Sequence, residues 1–413
     1  MASGAEGLDA VVIGAGWAGL GVSHALTGCG VRHRVLERGR IGETWRTQRW
    51  DSFRMNTANL YTVMPGDRYA GPDPEGVMTR DAFVALLEDF ARRHALPLDL
   101  GTRATALAAS PDGGFRVATD AGALTAPVAV VATGSLNRPR RPASAAAMPP
   151  RLHQIDASDY RSAAALPGGA VLVVGSAQSG GQIAEDLADA GRTVFLATGR
   201  VGRLPRRYRG RDMSIWLVES GLFDLPRKDL SARPTLGALH TISLQSLSAQ
   251  GVVLLGRFVG VEAGRLRFAD DLEDNIRFGD EASAAVRRHI DDYIDRAGLD
   301  APAAEPDPAE TVAARLPRPP IRGLDPAAAG LAAVIWCTGF ESDLGWVQLP
   351  GALDARGQPL HRDGVSPVPG LYFAGLDFAT TRRSGTIHGI AEEAARLAEH
   401  VVRSGPTRGA GRC

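Results

Sequence analysis

The chain has 413 residues, enough to bury a large core and to form two or three domains. Apolar residues make up 44% and charged residues 22%, as in ordinary globular proteins, and 46 basic side chains balance 46 acidic ones. This balance leaves no net charge to attract nucleic acid or an anionic membrane, so we expect neither as a partner.

The three cysteines are far apart in the sequence and predict neither a disulfide framework nor a metal site. No basic segment precedes an apolar one near the start, and no apolar run is long enough to span a membrane. We therefore expect a cytoplasmic protein, and the sequence leaves open whether it forms a homodimer.

The first predicted element is a buried strand at Val11–Ile13 that leads through a glycine-rich turn into a helix reaching Leu26. The G-x-G-x-x-G spacing of this turn permits a tight bend, close approach of a pyrophosphate and close helix–strand packing. The next strand, His33–Glu37, ends on a carboxylate that can accept hydrogen bonds from a ribose hydroxyl, and Arg38 follows it. We call residues 14–19 the first dinucleotide turn; its candidate ligand-binding residues are Gly14, Gly16, Trp17, Ala18 and Gly19.

An irregular, aromatic-rich segment follows and contains the pairs Thr44-Trp45 and Asn56-Thr57. It is too long for a simple connection, which favours a functional loop. A buried strand at Val128–Val131 then runs into a tight turn at Ala132-Thr133-Gly134.

The strand-turn-helix pattern then returns, with a strand at Ala170–Val174 and a helix from about Gln182 to Ala190. The turn between them differs from the first mainly in having Ala177 at the middle glycine position. A chain with two such turns most simply binds two dinucleotides. We call residues 175–180 the second dinucleotide turn; its candidate binding residues are Gly175, Ser176, Gln178, Ser179 and Gly180.

The two copies differ at the end of the following strand. Thr198 occupies the position that corresponds to Glu37, and Arg200 follows it, with further arginines at Arg203, Arg206 and Arg207. A neutral residue with arginine nearby accommodates the 2′-phosphate of NADP, whereas a carboxylate favours a free hydroxyl. The first turn therefore suits FAD or NAD and the second suits NADPH. Because arginine replaces lysine almost throughout the chain, a purely structural role for these arginines stays open.

The remaining chain carries a predicted hairpin, an amphipathic helix and an Ala/Pro-rich linker, at Val252–Phe268, Asp280–Arg296 and Ala303–Pro320. After the linker, a strand at Leu331–Trp336 runs into a second Thr-Gly turn, Thr338-Gly339. A short strand ends at Gly375, and the closing helix opens near Thr386 and His388. A helix N-terminus beside a glycine-ended strand is suited to stabilise an anion.

Together these features resemble the flavin-containing monooxygenases, in the short bacterial branch that includes the plant YUCCA-type enzymes. The resemblance covers nearly the whole chain and rests on both dinucleotide turns, on Glu37 and on the Thr-Gly turns and closing strand given above. The family's Phe-x-Gly-x-x-x-His pattern is not intact, because Asp156 stands where the histidine would be.

The resemblance implies an α/β fold of two Rossmann-like domains, with the second inserted into the first. It implies an FAD-binding domain at 1–165 and 315–413 and an NADPH-binding domain at 166–314. The implied activity is the NADPH- and O2-dependent oxygenation of a soft nitrogen or sulfur nucleophile on a small molecule, through a C4a-(hydro)peroxyflavin. In this family an asparagine that matches Asn56 lies beside the flavin and helps to hold the oxygenated intermediate.

Two other activities stay open: a NADPH-dependent FAD reductase that transfers electrons without oxygenation, and a small Baeyer–Villiger-type monooxygenase. The chain has no C-x-x-C pair, which excludes a thioredoxin-reductase-like enzyme. We expect the substrate pocket to be built from loops near 55–65, 208–225 and 377–383. His388 is either a polar group beside the flavin or a helix residue satisfied locally, and Asn56 is either a flavin-side amide or a turn residue bonded to its own backbone.

Overall fold

The protein is described from a computed structural model that covers residues 7–229 and 234–404. The first sheet has five parallel strands, in the spatial order Leu371–Phe373, Val128–Val131, Ala10–Ile13, His33–Glu37 and Leu98–Leu100. Its central strand is buried throughout, because helices pack on one face and an antiparallel sheet packs on the other. The helices are Trp17–Gly28, Arg80–Arg93 and Ile390–Ser404, and the antiparallel strands are Ala104–Ala109, Phe115–Thr119 and Gly122–Ala126. We call this assembly the first unit.

The second sheet also has five parallel strands, in the order Val253–Leu255, Val194–Ala197, Ala170–Val174, Leu331–Trp336 and His153–Asp156. One face packs against the helices Gln178–Asp189 and Leu244–Ala249. The other face packs against a small antiparallel sheet of Phe258–Glu262, Arg265–Phe268 and Gly323–Leu324. We call this assembly the second unit.

Shorter elements connect and decorate the two units. The further helices are Glu43–Thr47, Met213–Glu219, Leu272–Ala297 and Pro308–Thr311. Short 3-10 turns occur at Asn59–Tyr61, Ala143–Ala147, Ala163–Ala165, Leu222–Asp224, Arg227–Asp229 and Ile387–Gly389. Two-residue strands pair as Gly202–Arg203 with Thr235–Leu236, Arg207–Tyr208 with Arg211–Asp212, and Arg138–Pro139 with Phe340–Glu341.

The connectivity confirms the predicted fold class. The chain leaves the first sheet after Val128–Val131 and returns to it only at Leu371–Phe373, so the second unit is inserted into the first. Two strands of the second sheet, His153–Asp156 and Leu331–Trp336, lie outside the predicted range of 166–314. The chain thus enters the second sheet earlier and leaves it later than the expected domain bounds, because strand pairing is set by partners far away in the sequence.

Four predicted elements were wrong in extent. The hairpin predicted at Val252–Phe268 spans Phe258–Phe268, because Val253–Leu255 pairs in parallel with Val194–Ala197 in the second sheet. The helix after the second dinucleotide turn begins at Gln178, four residues before its predicted start, because the pair Gly180-Gly181 lies inside it. The helix predicted at Asp280–Arg296 spans Leu272–Ala297. The predicted surface linker at Ala303–Pro320 contains a short helix whose Glu310 side chain is buried between Arg203 and Arg287.

The structure also bears on the expectations about cysteines, metal sites and membrane-spanning segments. Cys29 is disulfide-bonded, which the cysteine spacing did not indicate, whereas Cys337 is free. Within residues 7–229 and 234–404, no group of three or more His, Cys, Asp or Glu could hold a metal ion. Among these same residues, no helix is both long and apolar enough to cross a membrane.

Candidate active site

At each glycine of the first dinucleotide turn, the surroundings explain why a side chain is absent. Gly14 has φ +110°, and a Cβ there would lie 2.6 Å from the carbonyl oxygen of Ala132. A Cβ at Gly19 would lie 1.8 Å from the carbonyl oxygen of Gly14, so the helix could not pack on the strand. A Cβ at Gly16 would meet no atom of the described residues within 4 Å. The backbone at Gly16 therefore faces open space at a helix N-terminus, as pyrophosphate binding requires.

A cavity of about 310 Å³ opens from this turn; we call it the smaller cavity. The predicted site residues that line it are Gly14, Gly16, Trp17, Ala18, Glu37, Arg38, Thr44, Trp45, Ala132, Thr133, Gly134 and Gly375. Glu37 is held at its edge, since its two carboxylate oxygens accept 2.9 Å hydrogen bonds from the backbone N–H groups of Ala15 and Gly39. Each oxygen has a further lone pair, so the carboxylate can also accept from a ribose hydroxyl.

Two further features of the smaller cavity fit a dinucleotide. The hydroxyl of Thr133 is buried and has no hydrogen-bond partner within the described ranges. The guanidinium of Arg49 lies 4.8 Å from the ring centroid of Trp45, and burial lowers its pKa to about 10. No carboxylate among the described residues pairs with Arg49, so a half-buried cation faces a cavity that FAD would enter with its anionic pyrophosphate. Arg49 was not predicted; its only sequence signal is its place in the aromatic-rich segment.

The second dinucleotide turn repeats this geometry. Gly175 has φ +106°, and a Cβ there would lie 2.4 Å from the carbonyl oxygen of Cys337. A Cβ at Gly180 would lie 1.8 Å from the carbonyl oxygen of Gly175. Ala177 is the N-cap residue of this helix and has an extended backbone. It corresponds to Gly16, the N-cap residue of the helix after the first turn, which faces open space. The replacement of glycine by alanine therefore causes no clash with the protein.

A cavity of about 1050 Å³ opens from the second turn; we call it the larger cavity. The predicted site residues that line it are Asn56, Thr57, Gly175, Ser176, Gln178, Ser179, Thr198, Arg200, Thr338, Gly339 and Thr386. Residues from all three predicted substrate loops also reach this cavity, and those beyond Asn56 and Thr57 include Met213, Ser214, Leu217, Phe223, Asp377, Phe378 and Arg382.

No carboxylate replaces Thr198 at the end of its strand. The Thr198 hydroxyl is buried, donates to the Leu255 carbonyl at 2.7 Å and accepts from Asn275 Nδ2 at 3.1 Å. Arg200 stacks over the ring of Phe278 at 4.9 Å and lines the larger cavity, where a 2′-phosphate could meet it.

The other three arginines of the predicted phosphate cluster are engaged by acids. Arg203 pairs with Glu310 at 3.0 Å, Arg206 with Asp212 at 2.5 Å, and Arg207 with Glu75 at 2.7 Å. These ion pairs join segments that are distant in the sequence, which explains why the arginine run alone was misleading. Within the described part of the chain, no ion pair engages Arg200, which lines the larger cavity.

Asn56 lies where the two units meet. Its side-chain oxygen accepts a 3.2 Å hydrogen bond from Gln182, and its backbone carbonyl accepts a 2.7 Å bond from Arg206. Its side chain is therefore bonded across the interface and not to its own backbone, which removes the alternative of a simple turn residue. Gln182 was not predicted, because its partner is far away in the sequence.

Asp377 is shared by both cavities. Ser135 donates to its carboxylate at 3.3 Å, and the Asp377 side chain is exposed. Nearby, Arg382 lines the larger cavity, and burial lowers its pKa. No ion pair to Arg382 occurs among residues 7–229 and 234–404. The sequence marked both residues only as the ends of a substrate loop.

Three predicted site residues line neither cavity. Gly19 and Gly180 lie beneath their turns, where they allow the helices to pack. His388 lies with its ring centroid 4.7 Å from that of Tyr61, and its Nε2 is buried without a partner in the described part of the chain. Burial lowers the pKa of His388 to about 4, so its imidazole is neutral.

Comparisons with known proteins agree with this architecture. The family model for pyridine nucleotide-disulphide oxidoreductases matches residues 11–219, which is just over half of the chain. An uncharacterized CzcO-like oxidoreductase of Geobacillus kaustophilus is 30% identical over 403 residues, covering 96% of this chain and 98% of that protein. The indole-3-pyruvate monooxygenase YUCCA1 of rice is 28% identical over 313 residues, covering 69% of this chain and 75% of that protein.

Solved structures show the same fold. The flavin-containing monooxygenase of Stenotrophomonas maltophilia superposes with a TM-score of 0.66 at 18% identity, covering 96% of this chain and 98% of that one. The complex of OTEMO with FAD and NADP superposes with a TM-score of 0.58 at 16% identity, covering 96% and 84%. The predicted resemblance to flavin-containing monooxygenases is thus confirmed. The chain belongs to the pyridine nucleotide-disulphide oxidoreductase family.

Proposed function

We propose that the protein is an FAD- and NADPH-dependent monooxygenase that oxygenates a nitrogen or sulfur nucleophile of a small molecule. One atom of O2 enters the substrate and the other leaves as water, with NADPH and a proton supplying the two reducing equivalents. The observation that carries the proposal is the shared wall of the two cavities: Asp377 borders both, and each cavity opens from its own dinucleotide turn. This shared wall supports the proposal, because a nicotinamide in one cavity and a flavin in the other would approach each other there.

The residues of the smaller cavity suit FAD. Glu37 would accept from a ribose hydroxyl, and the N-terminus of the helix Trp17–Gly28 would meet the pyrophosphate. When bound, FAD would accept hydride from NADPH and activate O2. The protein then has to orient the reactants and exclude water, and Asn56 would present its amide from the wall of the larger cavity. The residues around Thr198 and Arg200 would hold NADPH by its 2′-phosphate.

A second candidate substrate class is a carboxylate, such as a 2-oxo acid. Arg382 supports it, because its half-buried guanidinium, which pairs with no acid among the described residues, faces the larger cavity. Rice relatives are named indole-3-pyruvate monooxygenases, and indole-3-pyruvate carries such a carboxylate.

One experiment separates the candidate activities. The FAD-loaded protein is mixed with NADPH or NADH, oxygen and one of four probes: methyl phenyl sulfide, N,N-dimethylaniline, cyclohexanone or indole-3-pyruvate. NADPH oxidation, oxygenated product and H2O2 are measured together. We expect NADPH to be preferred and the sulfide or the amine to be oxygenated.

Each other outcome of this experiment selects an alternative. Oxygenation of cyclohexanone alone selects a Baeyer–Villiger enzyme, and oxygenation of indole-3-pyruvate alone selects the carboxylate class. Release of all electrons as H2O2 with every probe contradicts a monooxygenase and favours the reductase. Equal rates with NADH contradict the phosphate role of Arg200.

A further inference from the structure

The amide of Asn56 can take only one orientation among its neighbours. Gln182 Nε2 lies 2.6 Å from the backbone carbonyl oxygen of Gly237 and 3.2 Å from Asn56 Oδ1. A backbone carbonyl only accepts hydrogen bonds, so the Gln182 atom that faces it must be the NH2 nitrogen. That nitrogen offers its second hydrogen to Asn56, so the Asn56 atom that faces it must be the carbonyl oxygen. Gly237 therefore resolves the usual ambiguity of amide orientation at both residues.

The NH2 group of Asn56 must then face away from Gln182. Asn56 lines the larger cavity, whereas Gln182 does not. Across the described residues, no acceptor takes a hydrogen bond from Asn56 Nδ2, and this nitrogen is not among the buried atoms left without a partner. Arg206 also anchors the Asn56 backbone carbonyl at 2.7 Å. The residue is held at two points, and its two N–H donors are left for a ligand in the cavity.

We propose that Gln182 is a positioning residue, which keeps the N–H donors of Asn56 directed into the larger cavity. Gln182 lies on the helix Gln178–Asp189, which begins in the second dinucleotide turn. The helix that would receive NADPH thus sets the orientation of a donor that belongs to the first unit. This inference rests on the proposed monooxygenase function, in which these N–H groups would donate hydrogen bonds beside the flavin, where oxygen is activated.

The substitution Gln182→Glu tests the orientation because it changes polarity with almost no change in shape. A carboxylate only accepts hydrogen bonds, so it cannot donate to Gly237 and favours an Asn56 amide turned with Nδ2 towards it. Oδ1 would then face the cavity. Gln182→Met removes both hydrogen bonds at similar side-chain length and releases the amide without reversing it. Gln250→Glu, at an exposed position of the same unit, is the matched control.

The main readout is the fraction of NADPH electrons released as H2O2 with the probe that the wild type oxygenates best. We expect Gln182→Glu to raise this fraction about five- to tenfold, the effect of one misdirected hydrogen bond, and Gln182→Met to raise it less. The dissociation constant for NADPH should change less than about twofold. Because Gln182 acts through Asn56, the double variant with Asn56→Ala should behave like Asn56→Ala alone. Melting temperatures show whether each variant is folded.

The inference would be overturned if Gln182→Glu released the same fraction of NADPH electrons as H2O2 as the wild type does. Effects of Gln182→Glu and Asn56→Ala that simply add, or an equal effect of Gln250→Glu, would also overturn it. If the wild type oxygenates none of the probes, the proposed function fails, and the visible absorption spectrum of bound FAD becomes the readout. A spectral change caused by Gln182→Glu that disappears in the Asn56→Ala background supports the orienting role, and no such change overturns it.

Discussion

Glu393 is a carboxyl with 3% of its surface exposed that joins the closing helix to the glycine-ended strand of the first sheet. Its Oε1 accepts a 2.8 Å hydrogen bond from the backbone N–H of Gly375, while Oε2 has no partner in the part of the chain that the structure describes. Burial raises the pKa of Glu393 to about 6, although the hydrogen bond from Gly375 opposes the shift. Since Gly375 lines the smaller cavity, this carboxyl titrates next to the proposed FAD site.

The raised pKa predicts a definite pH dependence of stability. The folded protein holds this proton to higher pH than the unfolded chain, whose carboxyl has a pKa near 4.5. The free energy of unfolding should therefore fall by about 2 kcal/mol as the pH rises from the unfolded to the folded pKa, and this contribution should stay level above pH 7.

Urea unfolding of the apoprotein at several pH values between about 4.5 and 7 measures this effect. In Glu393→Gln, whose side-chain oxygen can still accept from Gly375, this part of the pH dependence should be missing. Glu392→Gln, at an exposed neighbouring position of the same helix, should keep it. A constant difference between wild type and Glu393→Gln at all pH values would contradict the assignment.

At the scale of elements, the two strand-turn-helix units show which glycine positions are set by the protein and which by a ligand. The first and last glycines of each turn meet backbone atoms, at Gly14 and Gly19 and at Gly175 and Gly180. The middle position meets none, as the open space at Gly16 shows. A side chain added at the middle position would therefore clash only with a ligand bound in the cavity.

This contrast predicts separate effects on folding and binding. Gly16→Ala should leave the melting temperature of the apoprotein nearly unchanged, because an added Cβ meets no atom within 4 Å in the part of the chain that the structure describes. It should weaken FAD binding at least about tenfold, since the methyl group occupies the approach of the pyrophosphate to the helix N-terminus. Fluorescence titration with FAD measures the affinity.

Gly28→Ala is the control, because it makes the same change in open space at the far end of the same helix. It should leave the affinity for FAD unaltered. Equal affinities of Gly16→Ala and the wild type would show that the pyrophosphate does not approach this turn.

At the scale of the whole molecule, the aromatic-rich segment of the first unit docks into the second. Trp50 is 4% exposed and packs in the hydrophobic core of the second unit. Its ring lies 5.1 Å from that of Phe53 and 6.5 Å from that of Tyr160. Ser52 donates to Asp186 at 2.5 Å in the same region. The interface therefore has its own apolar anchor beside the polar contacts at Asn56.

Removal of this anchor should weaken the coupling between the units. Trp50→Ala is expected to lower the free energy of unfolding by about 3–5 kcal/mol, as for other buried aromatic truncations. It should also separate the unfolding of the two units into two calorimetric transitions. The void left by the missing indole ring would lie where the loop of the first unit enters the core of the second. Trp346→Ala, which packs within the first unit, should destabilise without that separation. A single unaltered transition in Trp50→Ala would show that the units are held together elsewhere.

Much of the fold and part of the site could be predicted from short stretches of sequence. A dinucleotide turn and the carboxylate or threonine that ends the next strand lie within one strand-turn-helix-strand unit, so Gly14, Glu37, Gly175 and Thr198 were identified from spacing alone. Their positions along the two cavities follow from that local geometry. The inserted arrangement of the units was implied by the resemblance to flavin-containing monooxygenases, and the order of the strands in the two sheets confirms it.

The tertiary structure alone decided which side chains meet across the fold. Gln182 bonds to Asn56 across 126 positions of sequence, and Arg203 bonds to Glu310 across 107. Such pairs leave no periodic or motif signal, because a side chain's partner depends on how whole sheets and helices pack. For the same reason the sequence determined that two dinucleotide turns exist, whereas only the packing of the two units showed that Asp377 borders both cavities and that Arg203 is not available to a phosphate.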